Sequence, residues 1–233
     1  MPTDQAQAYR ASKDCLILMF KAPHRSKRRL AQQIGVALAT RAAAHLCDCA
    51  LEDMSQWSGP VCFAPAAEPD DSWLQSHVGS PVSTLVQQEG NLGERINFIN
   101  DSLWAQALQR QIFIGIDCPQ LHNDYLQGAS KALDQHDVVL GPATDGGVVL
   151  MGARCLWPRL HRLAWSRSTL MAELKLVCEA NGLAVSTLEP LADVDTVDDF
   201  QALAPHLSSD ARPARRQFSH WLTTTAEEFE ALA

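Results

Sequence analysis

Short apolar runs alternate with helical patterns along most of the chain. Residues 15–20, 61–64 and 112–116 are almost wholly apolar, and the less regular run 83–87 occupies a similar position. Such runs are typical of strands buried on both faces of a parallel sheet. The intervening segments have apolar residues at helical spacing, which predicts helices over 30–46, 70–76, 92–108 and 123–133. This alternation predicts an α/β fold with right-handed crossovers.

The pattern changes once, near residue 145. The runs 138–140 and 148–151 lie too close together for a helical crossover, so we expect an antiparallel pair and a mixed, mostly parallel sheet. A helix over 168–179 and a strand over 184–188 follow. A last helix of this unit begins after Thr196, whose side chain and the acids behind it suit a helix start.

The expected organisation is a polar extension (1–14), one main domain (15–206) and a polar C-terminal segment (207–233) with a terminal helix. No apolar run approaches the roughly 18 residues of a membrane span, so we expect a cytoplasmic protein. Seven scattered cysteines suit reduced thiols. The net charge of -8 argues against nucleic acid as a partner but leaves a small anionic ligand open.

Candidate phosphate ligands follow the first apolar run. The loop 21–29 carries five cations, among them Lys21, Lys27, Arg28 and Arg29, ahead of a helix start that favours anions. A solvated basic loop explains the same residues. A second candidate is the glycine-containing segment 88–95, which is either a ligand loop or only the start of a helix.

Carboxylates follow three later strands. Asp117 ends the run 112–116, where it is a candidate ligand for Mg²⁺ or Mn²⁺ or a helix cap. Asp145 lies between two strands beside paired glycines, and suits substrate hydroxyls or base chemistry, although a tight hairpin also explains the glycines. Either Asp193 or Asp195 is a candidate second metal ligand facing Asp117, and helix capping is the alternative for this acidic stretch.

In chain order, five of these segments resemble one known family. They are Lys-Ala-Pro with Lys-Arg-Arg-Leu, Gly-Asn-Leu-Gly-Glu-Arg, Gly-Ile-Asp-Cys-Pro, Gly-Pro-Ala-Thr-Asp-Gly-Gly and Asp-Val-Asp-Thr. The chain is similar, from about residue 15 to 203, to the bacterial glycosyltransferase-like family called domain of unknown function 2064. That family is related to GT-A nucleotidyltransferases such as the guanylyltransferases of molybdenum-cofactor and phospholactate metabolism.

The resemblance implies a Rossmann-like GT-A fold, an α/β/α sandwich with a nucleotide over the first strands. It places a divalent metal near Asp117, with a second ligand from the Asp-Val-Asp-Thr stretch. The matching motifs add a nucleotide-binding set, Gly93, Glu94 and Arg95, and a substrate-loop set, Gly146, Gly147, Trp165 and Ser166.

Three departures from the family pattern fall in presumed ligand loops. The first loop is about two residues shorter and lacks glycine, with Arg28 in place of a threonine. Val148 replaces an aromatic residue, and Arg167 replaces the threonine of a Trp-Ser-Thr motif. These changes suggest an altered substrate or weakened catalysis.

The sequence leaves three hypotheses about function. The first is a metal-dependent glycosyltransferase that takes a nucleotide sugar and an unknown acceptor, with Lys27 and Asp145 as catalytic residues. The second is a nucleotidyltransferase that releases diphosphate. The third is a non-catalytic nucleotide-binding or interaction protein. Since fold does not fix function, the sequence does not choose the donor base, acceptor or oligomeric state.

Overall fold

A mixed six-stranded sheet forms the centre of the molecule. The computed structural model describes residues 13–78 and 82–230, with side chains given through 225; most of the predicted extension 1–14 therefore lies outside the described residues. The strands are β1 (Cys15–Phe20), β2 (Val61–Pro65), β3 (Gln111–Ile114), β4 (Val138–Pro142), β5 (Val148–Ala153) and β6 (Val185–Thr187). The helices are α1 (Arg28–Gln56), α2 (Glu68–Val78), α3 (Leu92–Ala105), α4 (Asn123–Ala132), α5 (Leu170–Ala180), α6 (Val197–Ser208) and α7 (Pro213–Glu230).

The strand order is β2-β1-β3-β5-β4-β6, and β5 alone runs antiparallel to its neighbours among the described strands. At the centre, Ile17 of β1 lies between Cys62 of β2 and Phe113 of β3. The mixed, mostly parallel sheet predicted from the sequence is confirmed. The short β4–β5 connection cannot hold a crossover helix, so the chain returns as a hairpin.

Side chains of β1 alternate between two apolar cores. Leu16, Leu18 and Phe20 pack on one face, in the core shared with α1, α2 and α4. Cys15 and Ile17 pack on the other face, in the core shared with α3 and α5. A strand covered on both faces needs apolar residues at every position, which is why the run is continuous rather than alternating.

A third apolar cluster joins α1 to the two C-terminal helices. Phe218, Trp221 and Leu222 of α7 are buried with Phe200 of α6 against α1. The described part of the polar C-terminal segment is therefore packed against the main domain through these apolar side chains.

Helix α1 is longer than predicted and bent. It runs on to Gln56 rather than ending near residue 46, and Gly35 interrupts it with φ 79° and ψ 158°. By length and composition α1 is a candidate membrane span among the described residues, which the search for apolar runs missed. Its buried side chains belong to two of the three apolar clusters, as expected of a core helix.

The remaining differences are local. Residues 83–87 form no regular strand, but they lie beside β2 in parallel: Leu85 N donates a hydrogen bond to Phe63 O at 2.8 Å, and two further backbone hydrogen bonds link the segments. Thr196 caps α6 in a capping box with Asp199, as the sequence predicted. Most other predicted elements are present with ends shifted by a few residues, which is normal for boundaries read from a pattern.

Candidate functional site

A large cleft opens at one edge of the sheet. The carboxyl ends of β1, β3 and β4 meet there, and because β5 is antiparallel its first residues lie at the same edge. The cleft has a volume of about 1090 Å³. Apolar side chains of the strands line it, including Phe113 and Met151, while Leu92 and Trp165 line it from neighbouring loops and helices. Ligands of open α/β sheets bind in crevices of this kind.

The loop after β1 carries cations along the cleft. Residues Pro23–Arg25 form a short 3-10 turn, and the fully buried Asp70 of α2 holds it. One oxygen of Asp70 accepts a hydrogen bond from Ala22 N at 2.9 Å, and the other lies 3.2 Å from Arg25 Nη1. These contacts fix the backbone of a loop that contains no glycine.

The side chains of Lys21 and Arg28 are free to meet an anion. Both are exposed, both line the cleft, and neither forms an ion pair within the described part of the chain. Arg29 is 70% exposed, and its Nη1 lies 3.9 Å from Asp195 Oδ2. Three of the four basic-loop cations predicted to bind phosphate thus line the cleft with exposed side chains.

Two of the three predicted metal-binding acids converge. Asp117 follows β3, and its carbonyl oxygen accepts a hydrogen bond from Val194 N at 2.8 Å. This bond fastens the loop that carries Asp193 and Asp195 to the end of β3. Gln120 adds a second tie, since its side-chain oxygen accepts a hydrogen bond from Ala192 N at 3.1 Å. The side chains of Asp117 and Asp195 both line the cleft.

The ammonium group of Lys27 fills the point at which these acids converge. Its Nζ lies 2.6 Å from Asp117 Oδ1 and 2.9 Å from Asp195 Oδ1, and it also donates to the carbonyl oxygen of Val194. Because an ammonium group has three hydrogens, these three acceptors satisfy it completely. The Lys27 side chain is only 4% exposed, so little of it faces solvent although the residue contributes to the lining of the cleft.

The backbone supports this placement. Lys27 lies just before α1 in the left-handed region, with φ 50° and ψ 42°. Residues with a Cβ rarely adopt this conformation. The three contacts of the ammonium group oppose the strain, and the conformation directs the side chain across the end of the sheet.

Electrostatics strengthen the pairing. Burial alone would lower the pKa of Lys27, but the charges of Asp117 and Asp195 outweigh it and raise the pKa above its usual value. The pKa of Asp193 is also raised, to about 6, first by burial and then by the nearby charge of Asp145. The edge is therefore rich in carboxylates, and Lys27 is the cation that neutralises its centre.

The predicted magnesium or manganese site does not fit beside Lys27. Asp117 and Asp195 point their oxygens at one position, as a metal clamp requires, but an ammonium group already occupies that position. A divalent ion there would lie against a positive charge. In the described part of the chain, no group of three histidine, cysteine or acidic side chains has metal-binding geometry.

Asp145 lies in the β4–β5 hairpin. Its Oδ1 accepts a hydrogen bond from Gly147 N at 2.8 Å, and the side chain is exposed. Gly146 has φ 92°, and a Cβ there would lie 2.0 Å from Ser168 O. Both glycines thus serve the hairpin and its contact with the residues just before α5. The Asp145 carboxylate does not line the cleft, but its charge is close enough to Asp193 to raise the pKa of that acid.

The residues of the first turn of α3 have different roles: two serve the packing and capping of the helix, and one lines the cleft. Gly93 is buried, and a Cβ there would lie 2.3 Å from Leu160 O, so close packing requires the glycine. Glu94 completes a capping box with Asn91 and faces a smaller depression of about 390 Å³. Arg95 lines the main cleft, where its Nε donates to Gly90 O at 2.9 Å.

Trp165 and Ser166 also line the cleft. The indole Nε1 of Trp165 donates to Leu160 O at 3.2 Å, which fixes the ring, and exposed Ser166 has φ 67°. The structure therefore brings the predicted substrate-loop pair to the same cleft as Lys21 and Arg28.

Sequence reasoning missed Arg215, which contacts the loop that carries Asp117. This α7 side chain is fully buried; its Nε donates to Pro119 O at 3.1 Å, and its Nη2 pairs with Asp53 of α1. Pro119 lies two residues after Asp117, so Arg215 anchors the loop that carries that acid. The polar sequence of the segment gave no sign that this arginine is buried.

Comparisons with known proteins identify the fold and the family. The mixed sheet has the same α/β fold as a solved protein provisionally assigned as a nucleotide-diphospho-sugar transferase. The chain belongs to the family described as "uncharacterized protein conserved in bacteria (DUF2064)", whose profile matches residues 49–167. The matched segment contains Asp117 and Asp145 but neither the basic loop nor Asp195.

Solved structures support the fold. A protein from Desulfovibrio desulfuricans G20, provisionally assigned as a nucleotide-diphospho-sugar transferase, matches with TM-score 0.84 and 21% identity over 95% of this chain and 98% of its own. A cytidylyltransferase from Leptospira borgpetersenii matches with TM-score 0.59 and 12% identity over 94% and 97%. The 4-diphosphocytidyl-2C-methyl-D-erythritol synthase of Anaerococcus prevotii matches with TM-score 0.56 and 9% identity over 84% and 97%. No curated protein sequence matches the chain.

Proposed function

We propose that the protein is a transferase that binds a nucleotide sugar in the cleft and passes the sugar to an acceptor. The observation that carries the proposal is the cleft itself. A fixed basic loop, an apolar floor and a carboxylate-rich edge meet in a space of about 1090 Å³ at the carboxyl ends of the strands. The diphosphate would lie against Lys21, Arg28 and Arg29, and the base over the strand ends.

The chemistry requires stabilisation of a leaving nucleoside diphosphate. Guanidinium groups suit this role, since they offer paired donors to phosphate oxygens in a fixed plane. Positioned cations that face the developing negative charge lower the barrier most when water is excluded. Asp145 does not line the cleft, so its predicted role of orienting a hydroxyl of the sugar or the acceptor would require a ligand that extends beyond the cleft towards the β4–β5 hairpin. No step uses a divalent metal, because Lys27 fills the point between Asp117 and Asp195.

Nucleotidyl transfer is the second candidate. The shared fold with the Leptospira cytidylyltransferase supports it. This reaction places a triphosphate on the first loop, where Lys27 is engaged with acids rather than phosphates. The two activities differ in their products: the first releases a nucleoside diphosphate from a nucleotide sugar, and the second releases diphosphate from a nucleoside triphosphate. Binding without either product would favour the non-catalytic hypothesis.

A thermal-shift screen tests the proposal. Nucleoside diphosphates, nucleoside triphosphates and nucleotide sugars are compared by the rise in melting temperature, since a ligand that binds only the folded protein stabilises it. Arg28→Gln should reduce the shift. Lys131→Gln, which removes an exposed cation on α4 away from the cleft, is the matched control and should not. The absence of a shift with every nucleotide would contradict the proposal. A cytoplasmic location remains a prediction from the sequence.

A further inference from the structure

Within the described part of the chain, Lys27 is the predicted phosphate ligand whose charge is most fully paired inside the protein, whereas Arg29 has only a long contact with Asp195. Its ammonium group meets oxygens from two segments distant in sequence, at Asp117 and at residues 194–195. All three of its hydrogens have acceptors, so it has no donor left for a phosphate oxygen. Its role in the cleft must therefore differ from that of Lys21 or Arg28.

The position of the ammonium group is that of a bound cation. Two carboxylate oxygens and one carbonyl oxygen converge on a single point, and oxygen donors of these kinds are the ones that hard divalent ions select. The convergence does not depend on Lys27 alone, because the bond from Val194 N to Asp117 O brings the two acidic segments together through backbone atoms.

We infer that the Lys27 ammonium group replaces a divalent cation in this protein, so that nucleotide binding in the cleft needs no metal. The lysine supplies one positive charge between Asp117 and Asp195, and Lys21, Arg28 and Arg29 supply the remainder beside the phosphates. The inference deepens the proposed function and rests on it for the identity of the ligand. The part of the inference that concerns the metal rests on the contacts of Lys27 and does not depend on which nucleotide binds.

Removing the lysine charge should open the site to a metal ion. In Lys27→Met the two carboxylates keep their backbone tie but lose their cation, and their mutual repulsion favours capture of Mn²⁺. We expect wild-type protein to leave Mn²⁺ free, and Lys27→Met to bind it at least about tenfold more tightly, since two carboxylates and the Val194 carbonyl oxygen are ligands that such ions accept alongside water. Mn²⁺ binding is read from the electron paramagnetic resonance signal of the free ion, without nucleotide.

Two controls make the result specific. Lys21→Met removes a cation of the same loop that pairs with no acid among the described residues, and should gain no Mn²⁺ site. Lys27→Met with Asp117→Asn removes one of the two carboxylates, and should lose the site that Lys27→Met gained. Circular dichroism confirms that each variant is folded. Mn²⁺ binding by wild-type protein that is unchanged in Lys27→Met would overturn the inference.

The nucleotide arm uses wild-type protein, so it does not depend on a variant that folds. The nucleotide that gives a thermal shift should give the same shift in EDTA as in Mg²⁺. A shift that EDTA abolishes would overturn the inference while leaving the proposed function intact. No shift in either condition would contradict the proposed function, whereas the Mn²⁺ measurement would still decide whether Lys27 excludes a metal.

Discussion

Lys27 Nζ lies 2.6 Å from Asp117 Oδ1, although the two residues belong to different strand–helix connections. The sequence predicted a separate ligand for each residue: a phosphate group for Lys27 and a metal ion for Asp117. The structure instead pairs them with each other. The cations left for an anionic ligand are the more exposed ones, and the centre of the acidic edge is neutralised from within.

Lys21→Gln should weaken binding of a nucleoside diphosphate by about three- to tenfold, since one exposed charge-assisted contact is lost. The affinity of wild-type protein should also fall as salt rises, and the variant should show a smaller dependence on salt. Isothermal titration calorimetry at several ionic strengths measures both. Equal salt dependence in the two proteins would remove Lys21 from the phosphate site.

Gly146→Ala should lower the free energy of unfolding by at least about 1–3 kcal/mol from backbone strain, because φ is 92°. The new methyl group would also meet Ser168 O, which is backbone and cannot move aside easily. Gly128→Ala on α4 is the matched control. Nothing lies near its Cβ, and alanine there should stabilise the helix by about 0.5–1 kcal/mol. Urea denaturation measures both; a neutral Gly146→Ala would refute the contact.

Arg215→Met should destabilise the protein by up to about 3–5 kcal/mol, because it removes one of the two guanidinium partners of the buried Asp53 carboxylate and leaves only Arg212. The loop after Asp117 also loses a hydrogen bond at Pro119 O. Arg216→Met, at the exposed neighbouring position, should change stability by less than about 0.5 kcal/mol. Chemical denaturation compares the two, and similar effects would show that burial of Arg215 is not important.

The free energy of unfolding should decrease as the pH falls below neutral, because His45 becomes protonated. Its ring stacks on that of Phe218, with the ring centroids 5.3 Å apart. Burial lowers the pKa of His45 below the usual 6.5; the charge of Asp48 opposes this shift, and the charge of Arg41 adds to it. The unfolded chain then binds the proton more readily than the folded protein, so the stability contributed by neutral His45 is lost as pH falls below about 6.5.

The test for His45 compares denaturation midpoints across this pH range. His45→Phe keeps an aromatic ring but has no proton to gain, and should lose less stability on acidification than wild-type protein does. His206→Gln, at an exposed position on α6, should behave as wild type. If His45→Phe and wild type respond equally to pH, His45 does not cause the effect.

The sequence predicted what local patterns determine. Continuous apolar runs marked β1 and β3 because both faces of those strands are covered, and the short connection before Val148 predicted the antiparallel turn. Contacts between distant segments were not predictable in this way. The basic neighbours of Lys27 suggested phosphate, yet its partners lie 90 and 168 positions away.

The C-terminal helix illustrates the same difficulty. Arg215 stands in a polar stretch, and nothing nearby indicates that its side chain enters the core between α1 and the Asp117 loop. Polar composition predicted exposure, whereas the structure satisfies the guanidinium group with carboxylates and carbonyl oxygens that come from elsewhere in the chain. A buried charge is tolerated only when it is paired in this way.

The most direct test of the central claim is a crystal structure with the nucleoside diphosphate that gives the largest thermal shift. The account predicts that its diphosphate lies against Lys21, Arg28 and Arg29, that its base covers the strand ends near Phe113, and that Lys27 stays between Asp117 and Asp195. A diphosphate bound outside the cleft, or one that draws Lys27 away while a metal ion takes its place between the two acids, would contradict it.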